Sequence, residues 1–170
     1  MPQRLVISDS SCLINLRKAP LLEAFLRLPY EFLIPDTQFE DELLRFSPAQ
    51  KKALVRGGLK VVELPVEGVL RARQIVREFA RLSIHDAFAC ALAESRPGCI
   101  LLTGDGPLRV FARRQEIEVH GVLCVIDELQ GHKISIAGTL HAAVQVLARD
   151  PTVRLPQHEM AEYLKRYAGS

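Results

Sequence analysis

The stretch Leu5-Val6-Ile7-Ser8-Asp9-Ser10-Ser11-Cys12-Leu13-Ile14 decides the fold, because an apolar run passes through an acidic residue into a helical pattern. Four more short apolar runs follow, and together the five runs predict strands at residues 5–8, 32–34, 60–64, 100–103 and 119–124. Short runs separated by helical periodicity are typical of βαβ units around a parallel sheet, so we expect an α/β protein. The first and fourth runs are nearly all apolar, which predicts strands covered on both faces at the centre of the sheet.

Helical patterns fill the intervals between these runs and continue beyond the last one. They predict helices at residues 11–16, 21–28, 36–46, 48–55, 66–82, 83–94 and 107–115, and at residues 126–130, 139–148 and 156–167. No repeat, low-complexity segment or linker interrupts the 170 residues, so we expect one domain with a core at about residues 4–125 and a helical tail at 126–170. Four tail residues are candidates to pack on the sheet or on a second subunit: Ala142, Val146, Tyr163 and Leu164.

The composition restricts the function classes. Lys and Arg number 22 against 20 Asp and Glu, a net charge of +2, so any surface that binds nucleic acid must be local. The four cysteines form no Cys-x-x-Cys pair, which argues against a zinc site and a compact disulfide framework. The N-terminus does not match a signal peptide, and no apolar stretch approaches the roughly 18 residues that span a bilayer. We therefore expect a cytoplasmic protein that makes no membrane contact.

Acidic residues follow the predicted strands at special places. Asp9 comes directly after the first strand, and Asp105 comes two residues after the fourth, in a Gly-Asp-Gly turn. The carboxyl ends of central strands are where α/β sheets bind ligands, although each Asp, taken alone, could equally be a helix N-cap. Asp86 is the third residue after Ser83, close to a capping box, on an alanine-rich helix that we expect to press tightly against the sheet. Its first turn would then face the strand ends.

A glutamate on the predicted helix 36–46 stands out by its angle. Phe39, Leu43 and Phe46 set the apolar face, and Glu42 falls inside that arc, at about 300° when Phe39 is placed at 0°. Glu40 falls at about 100°, outside the arc. A carboxylate that points at a core is costly unless it is compensated, so we expect Glu42 to face a polar site.

Several carboxylates at one sheet edge need a cation or protons. Each pair repels by about 4 kcal/mol at 4 Å and an effective dielectric near 20. Oxygen ligands suit Mg²⁺ or Mn²⁺, whereas zinc would call for His or Cys. His85 lies beside Asp86, but neighbouring helical residues point about 100° apart, so we interpret His85 as structural.

Several segments resemble the motifs of PIN domains, in the right order and spacing over about residues 4–125. Val6-Ile7-Ser8-Asp9-Ser10-Ser11 resembles the opening strand and helix, and Leu82-Ser83-Ile84-His85-Asp86-Ala87 resembles the start of the central acidic helix. Leu102-Thr103-Gly104-Asp105-Gly106-Pro107-Leu108-Arg109 resembles the T-x-D motif after the fourth strand, and the acidic helix at 35–43 fits in order and type. The resemblance implies a three-layer α/β/α sandwich with a central, mostly parallel five-stranded sheet.

The resemblance also implies which residues form a site. Asp9, Asp86 and Asp105 would hold Mg²⁺ or Mn²⁺ and, with Glu42, would be the catalytic residues. Glu42 lies seven residues after Pro35, a slightly longer gap than the family pattern suggests, and Glu40 would shorten it, so both stay open at this point.

The substrate-binding residues form a second set. The resemblance places the hydroxyls of Ser10, Ser11 and Thr103 where the family binds the metal shell or a phosphate. Arg109 and Arg113 are four residues apart on the helix after Asp105, so both could grip flanking phosphates as bidentate donors. The alternative is a solvated basic face, in which they pair with two glutamates at 116 and 118.

The function that follows is a metal-dependent endoribonuclease that hydrolyses phosphodiester bonds of single-stranded RNA. Because many small bacterial PIN domains are toxins of toxin–antitoxin pairs, an antitoxin partner and a homodimer are also expected. One alternative is a non-catalytic PIN-like module that binds RNA or a protein. A second is a haloacid-dehalogenase-like phosphatase, since residues 103–106 echo one of its acidic turns, but Asp9-Ser10-Ser11 lacks the Asp-x-Asp that its nucleophile motif requires.

Overall fold

A computed structural model describes residues 3–168 and shows a five-stranded sheet with helices on both faces. The strands are β1 (Arg4–Ser8), β2 (Tyr30–Pro35), β3 (Lys60–Val62), β4 (Ile100–Leu102) and β5 (Glu118–His120). Their order is β3-β2-β1-β4-β5, and every pairing is parallel. The predicted α/β class and three-layer architecture are confirmed, and β1 lies at the centre of the sheet with β4 beside it.

The helices form the two outer layers. They are α1 (Ser10–Lys18), α2 (Leu22–Leu26), α3 (Asp36–Asp41), α4 (Pro48–Arg56), α5 (Val66–Glu78), α6 (Ile84–Glu94), α7 (Gly106–Arg114), α8 (Val122–Gly131), α9 (Ala137–Arg149) and α10 (Gln157–Tyr167). Successive residues of a strand face opposite sides, so β1 supplies both cores. Val6 belongs to the core on the side of α1–α4 and α8–α10, whereas Ile7 belongs to the core on the side of α5–α7.

The helix predicted at 36–46 is wrong in its second half. It ends at Asp41, where the Glu42 N–H donates to the Gln38 carbonyl at 2.9 Å, and the chain then turns. Ser47 must be extended because it precedes Pro48, and its side chain caps α4, so the chain leaves the helical conformation before that point. Leu43 remains fully buried, as its place in the apolar pattern predicts.

Two other predicted elements need correction. The strand predicted at 119–124 ends at His120, and after Gly121 the same apolar run continues as α8, with Val122, Val125 and Ile126 buried at helical spacing. A short apolar run does not distinguish a buried strand from a buried helix, so the predicted strand included the first turn of α8. The helix predicted at 66–82 ends at Glu78, because Phe79 leaves the helix and packs on Phe111 at a ring distance of 5.6 Å.

The helical tail packs back on the sheet, on the α1 side. Leu140, Val144 and Leu147 of α9 are fully buried there, and Tyr163 and Leu164 of α10 pack against the same core. Ala142 and Val146, the other two candidates, are exposed. Asp127 of α8 anchors α10 by accepting hydrogen bonds from two tyrosines and one arginine, Tyr163, Arg166 and Tyr167. Within residues 3–168, no helix combines the length and the apolar character needed to cross a membrane.

Candidate active site

The candidate site lies at the carboxyl edge of the three central strands. Asp9 follows β1, and its N–H donates to the carbonyl of Leu102 at the end of β4, 2.8 Å away. Asp105 follows β4, and α3 follows β2 directly. Because β2, β1 and β4 are neighbours and parallel, the segments that leave their carboxyl ends meet at one edge of the sheet.

Asp9 is the centre of this site. Its side chain is 2% exposed, and its Oδ1 accepts a hydrogen bond from the amide Nε2 of Gln38 at 2.6 Å. Its Oδ2 accepts from the hydroxyls of Ser11 and Thr103, each at 2.8 Å. Burial raises the pKa of Asp9, although these three donors act against that rise. Asp9 occupies the N-cap position of α1 without capping it, so the cap interpretation does not hold for this residue.

Gln38 is a site residue that the sequence prediction missed. Its side chain is fully buried, and its Nε2 donates both to Asp9 and to the backbone carbonyl of His85, the latter at 3.0 Å. Its amide oxygen, Oε1, is buried and has no hydrogen-bond partner among residues 3–168. Gln38 is one helical turn before Glu42 and shares its side of the helix, so the spacing that identified Glu42 was also the available signal for Gln38.

The two hydroxyl residues around Asp9 connect neighbouring loops. Thr103 Oγ1 donates to Asp9 and accepts from the Asp105 N–H at 3.0 Å. Ser11 Oγ donates to Asp9 and accepts from the Gly104 N–H at 3.0 Å. Both hydroxyl protons are therefore directed at the carboxylate, which fixes its orientation. Binding of a phosphate or a metal shell by these hydroxyls stays a prediction.

Asp86 and Asp105 cap helices, as the alternative interpretation allowed. Asp86 and Ser83 form a reciprocal capping box on α6, with both hydrogen bonds at 3.0 Å. Asp105 Oδ2 accepts from the Leu108 N–H at 2.9 Å and caps α7. Burial, together with the charges of Asp9 and Asp105, raises the pKa of Asp86 to about 6. The three aspartates are therefore close enough to act on one another while two of them also hold helix ends.

Glu42 joins the group and Glu40 does not. Glu42 is half-buried, and its Oε1 accepts a hydrogen bond from the Ser10 hydroxyl at 2.9 Å. Burial raises its pKa, and the charges of Asp86 and Asp41 act in the same direction. Glu40 is exposed on α3.

His85, which the sequence indicates to be structural, lies at the start of α6 and contacts α3. Its Nε2 lies 3.1 Å from Asp41 Oδ2, and its carbonyl accepts from Gln38, so it joins α6 to α3. The positive form of His85 lowers the pKa of Glu42, against the effect of burial.

The donor set matches a hard cation by chemistry. Around Asp9 the carboxylates of Glu42, Asp86 and Asp105 supply only oxygen, the ligand type that Mg²⁺ and Mn²⁺ prefer. Burial is the main cause of the raised pKa of Asp9, Glu42 and Asp86, and the charges of neighbouring carboxylates act in the same direction. No group of three or more His, Cys, Asp or Glu side chains already placed to hold an ion is found within residues 3–168.

The two predicted phosphate-binding arginines lie on α7. Arg109 approaches Gly121 so closely that a Cβ there would stand 3.3 Å from its Nη1, which places Arg109 beside the end of β5. Arg113 is exposed. Neither arginine makes an ion pair in the described part of the chain, and Glu118 binds Arg4 and His120 instead. The proposed pairing with Glu118 is therefore not observed, and phosphate binding stays a prediction.

Comparison with known proteins adds the family. A family model described as a PIN domain matches residues 5–168, and so includes α8–α10 as well as the segment with the motifs. No curated protein matches the chain. PIN domains are in general nucleases, a class of hydrolases. With nearly its whole length matched, the chain belongs to the PIN domain family.

Proposed function

We propose that the chain is a Mg²⁺- or Mn²⁺-dependent endoribonuclease that hydrolyses phosphodiester bonds in single-stranded RNA. The observation that carries the proposal is the buried Asp9 carboxylate, held by three donors at the sheet edge with Asp86, Asp105 and Glu42 around it. A cluster of this kind costs folding free energy, because buried carboxylates must be paired or protonated. A divalent cation would offset that cost, because its positive charge would pair with the carboxylates, and it would supply the chemistry for hydrolysis.

The residues of the site have distinct roles in this proposal. Asp9, Asp86 and Asp105 would hold the cation, which, when bound, lowers the pKa of a water and neutralises charge on the phosphate. Gln38 and Thr103 keep Asp9 in one orientation. Glu42, which the Ser10 hydroxyl holds, orients the attacking water.

Substrate binding involves the residues around the acids. Arg109 and Arg113 would neutralise the phosphates that flank the scissile bond, because a guanidinium donates two parallel hydrogen bonds to one phosphate. Ser10, Ser11 and Thr103 would contribute hydroxyls at the edge of the metal shell. RNA is the proposed partner, and the family resemblance supports a narrower form of the proposal in which the chain is a homodimeric toxin with an antitoxin partner.

A non-catalytic PIN-like module that binds RNA or a protein is the second candidate. One observation favours it: the acidic side chains of residues 3–168 are not already grouped as a metal site. The chain's membership of the PIN domain family leaves the phosphatase alternative without support.

A cleavage assay separates the two candidates. We expect the purified protein to cut an end-labelled single-stranded RNA with Mn²⁺ and not with EDTA, and Asp9→Asn, purified in the same way, to be inactive. A DNA strand of the same sequence tests whether the sugar matters. A folded wild-type protein that leaves RNA intact with Mn²⁺ would favour the binding module, and cleavage by Asp9→Asn would show that the activity comes from a contaminant or another site.

A further inference from the structure

A cavity of about 330 Å³ lies next to Glu42, between α1 and the chain that joins α3 to α4. Arg17 and Lys18 line it from the last turn of α1, and Arg45 lines it from the connecting chain. Thr152, between α9 and α10, also lines it. None of these four residues belongs to the acid cluster or to the predicted phosphate-binding pair on α7.

The cavity extends from the candidate active site along α1. Ser10, whose hydroxyl holds Glu42, and Ile14 and Arg17 are spaced by four and three residues, so they share one side of the helix. Arg17 lies about 10 Å along the helix axis from Ser10, at 1.5 Å per residue. One strand of a stacked nucleic acid carries a phosphate every 3.4 Å or so, so this length fits about two to three phosphates.

The charges that line the cavity are mainly positive, and two of the positive side chains make no ion pair in the described part of the chain. Lys18 is paired with Asp150 at 3.4 Å and donates to Thr152. Arg17 and Arg45 make no ion pair within residues 3–168. Because two guanidinium groups beside the cleft lack carboxylate partners, the cavity is suited to an anionic ligand.

Arg17 has a guanidinium held on an aromatic ring and a donor atom that lacks a hydrogen-bond partner. Its guanidinium lies over the ring of Phe46 at 5.2 Å from the centroid, which restricts its motion. Its Nε is buried and finds no acceptor in the described part of the chain. A buried donor without a partner is costly, so a turn of the guanidinium that brings Nε to a ligand oxygen in the cavity would be favourable. Leu44, 78% exposed on the same wall, offers an apolar surface next to these cations.

We propose that this cavity binds the backbone of the substrate strand next to the scissile bond, with Arg17 and Arg45 as its phosphate ligands. Naming the strand as RNA rests on the proposed function. A nucleic-acid strand fits better than an acidic peptide because it alternates phosphates with flat apolar bases, which matches two cations beside the exposed Leu44. The strand in the cavity would also be continuous with the scissile phosphate, which lies beside Glu42 in the proposed function.

The first test measures how RNA binding depends on salt. Fluorescence anisotropy of a labelled 12-nucleotide single-stranded RNA is recorded in EDTA from low to high salt, in an Asp9→Asn background. Each lost phosphate contact should reduce the slope of log K against log salt by about 0.7. Arg45→Gln and Arg17→Gln should each show this reduction. Arg73→Gln, an exposed arginine on α5 at the opposite face of the sheet, is the matched control and should leave the slope unchanged.

A second test adds a charge instead of removing one. Leu44→Glu places a carboxylate on the cavity wall, and we expect the Kd for RNA to rise about tenfold, equivalent to 1.4 kcal/mol. Leu70→Glu is the matched control, since Leu70 is 57% exposed on α5. Both side chains are in solvent, so both variants should keep the wild-type melting temperature. This pair stays informative if Arg17→Gln disturbs the packing of Phe46.

The outcomes separate this inference from the proposed function. With Mn²⁺, Arg45→Gln and Leu44→Glu should raise the KM for RNA by a larger factor than the KM for bis(p-nitrophenyl) phosphate, which is too short to reach the cavity. The controls Arg73→Gln and Leu70→Glu should leave both at the wild-type value. If the wild type cuts neither substrate but Arg45→Gln still flattens the salt slope, the nuclease proposal fails and the binding site stands. Unchanged slopes and Kd in the Arg17, Arg45 and Leu44 variants would overturn the inference, even in an active nuclease. A glutamate-rich peptide that binds the wild type more tightly than RNA, and loses that binding in Arg45→Gln, would also overturn it and assign the cavity to an acidic protein.

Discussion

Replacing Asp86 by Asn should stabilise the metal-free protein at high pH and not at low pH. Asn keeps the shape of the side chain, and its carbonyl oxygen can accept the Ser83 N–H that Asp86 now accepts at 3.0 Å. The change therefore removes the charge while it preserves the capping box. The substitution removes the free-energy cost of burying a charged carboxylate beside Asp9 and Asp105.

The magnitude follows from the pKa of Asp86, which is raised from 3.8 to about 6. Because the folded state binds this proton more tightly than the unfolded state, the contribution of Asp86 to stability is lost as the pH rises from about 4 to about 6. A shift of about two units corresponds to roughly 3 kcal/mol. The side chain is only partly buried, so solvent screening reduces this to about 1–2 kcal/mol. In a chain of this length, that gain raises the melting temperature by about 3–6 °C.

The assay is thermal denaturation in EDTA at pH 4 and at pH 8. We expect Asp86→Asn to melt above the wild type at pH 8 and close to it at pH 4. Glu40→Gln, which removes an exposed carboxylate from α3, should show no such difference. Adding Mn²⁺ should raise the melting temperature of the wild type more than that of Asp86→Asn, because a cation that binds only the folded state stabilises it. An equal gain at both pH values, or none at pH 8, would refute the electrostatic argument.

Three other substitutions test other parts of the molecule. Gln38→Met leaves Asp9 Oδ1 without its amide donor, so urea denaturation should show a loss of about 1–3 kcal/mol; an unchanged midpoint would contradict that role. Glu42→Gln should abolish RNA cleavage with little loss of stability while Glu40→Gln stays active, and the reverse pattern would assign the role to Glu40. Asp127→Asn weakens three hydrogen bonds to α10, one of them to a cation, so the amide hydrogens of α10 should exchange faster than in the wild type while those of α6 are unchanged; equal protection of α10 in the wild type and the variant would show that apolar packing alone holds α10.

The fold could be predicted from the sequence because its strands are short, apolar and bounded by turns. The errors occurred where the local pattern is compatible with two structures. The apolar residues 119–126 serve a strand and then a helix, and only Gly121, between them, marks the change. The end of α3 at Asp41 depends on how the chain must enter α4 at Ser47 and Pro48, a constraint that helical periodicity does not include.

The acids of the candidate site could be predicted because each has a carboxylate at a position that the surrounding apolar pattern predicts to be the end of a central strand or the sheet-facing side of a helix. Asp9 and Asp105 follow central strands, and Glu42 interrupts an apolar arc. Their supporting contacts could not be predicted, since Gln38 and Thr103 reach Asp9 only through tertiary packing, across 29 and 94 residues of sequence. Gln38 also carries no charge, so a pattern of carboxylates along the sequence does not indicate it.

The nine residues of α1 connect the candidate acid site to the proposed strand site. Ser10 at its first turn holds Glu42, and Arg17 at its last turn lies in the basic cavity, while Cys12, Leu13 and Leu16 on the other side are fully buried. Because that buried side fixes the helix in the core, the separation of about 10 Å between its two ends cannot adjust to the ligand. A strand anchored by Arg17 would therefore meet Glu42 at a fixed number of nucleotides from the anchored phosphate. Because any phosphate of a strand can occupy the anchor, this distance would fix which bond meets Glu42 in each bound position and would select no base sequence.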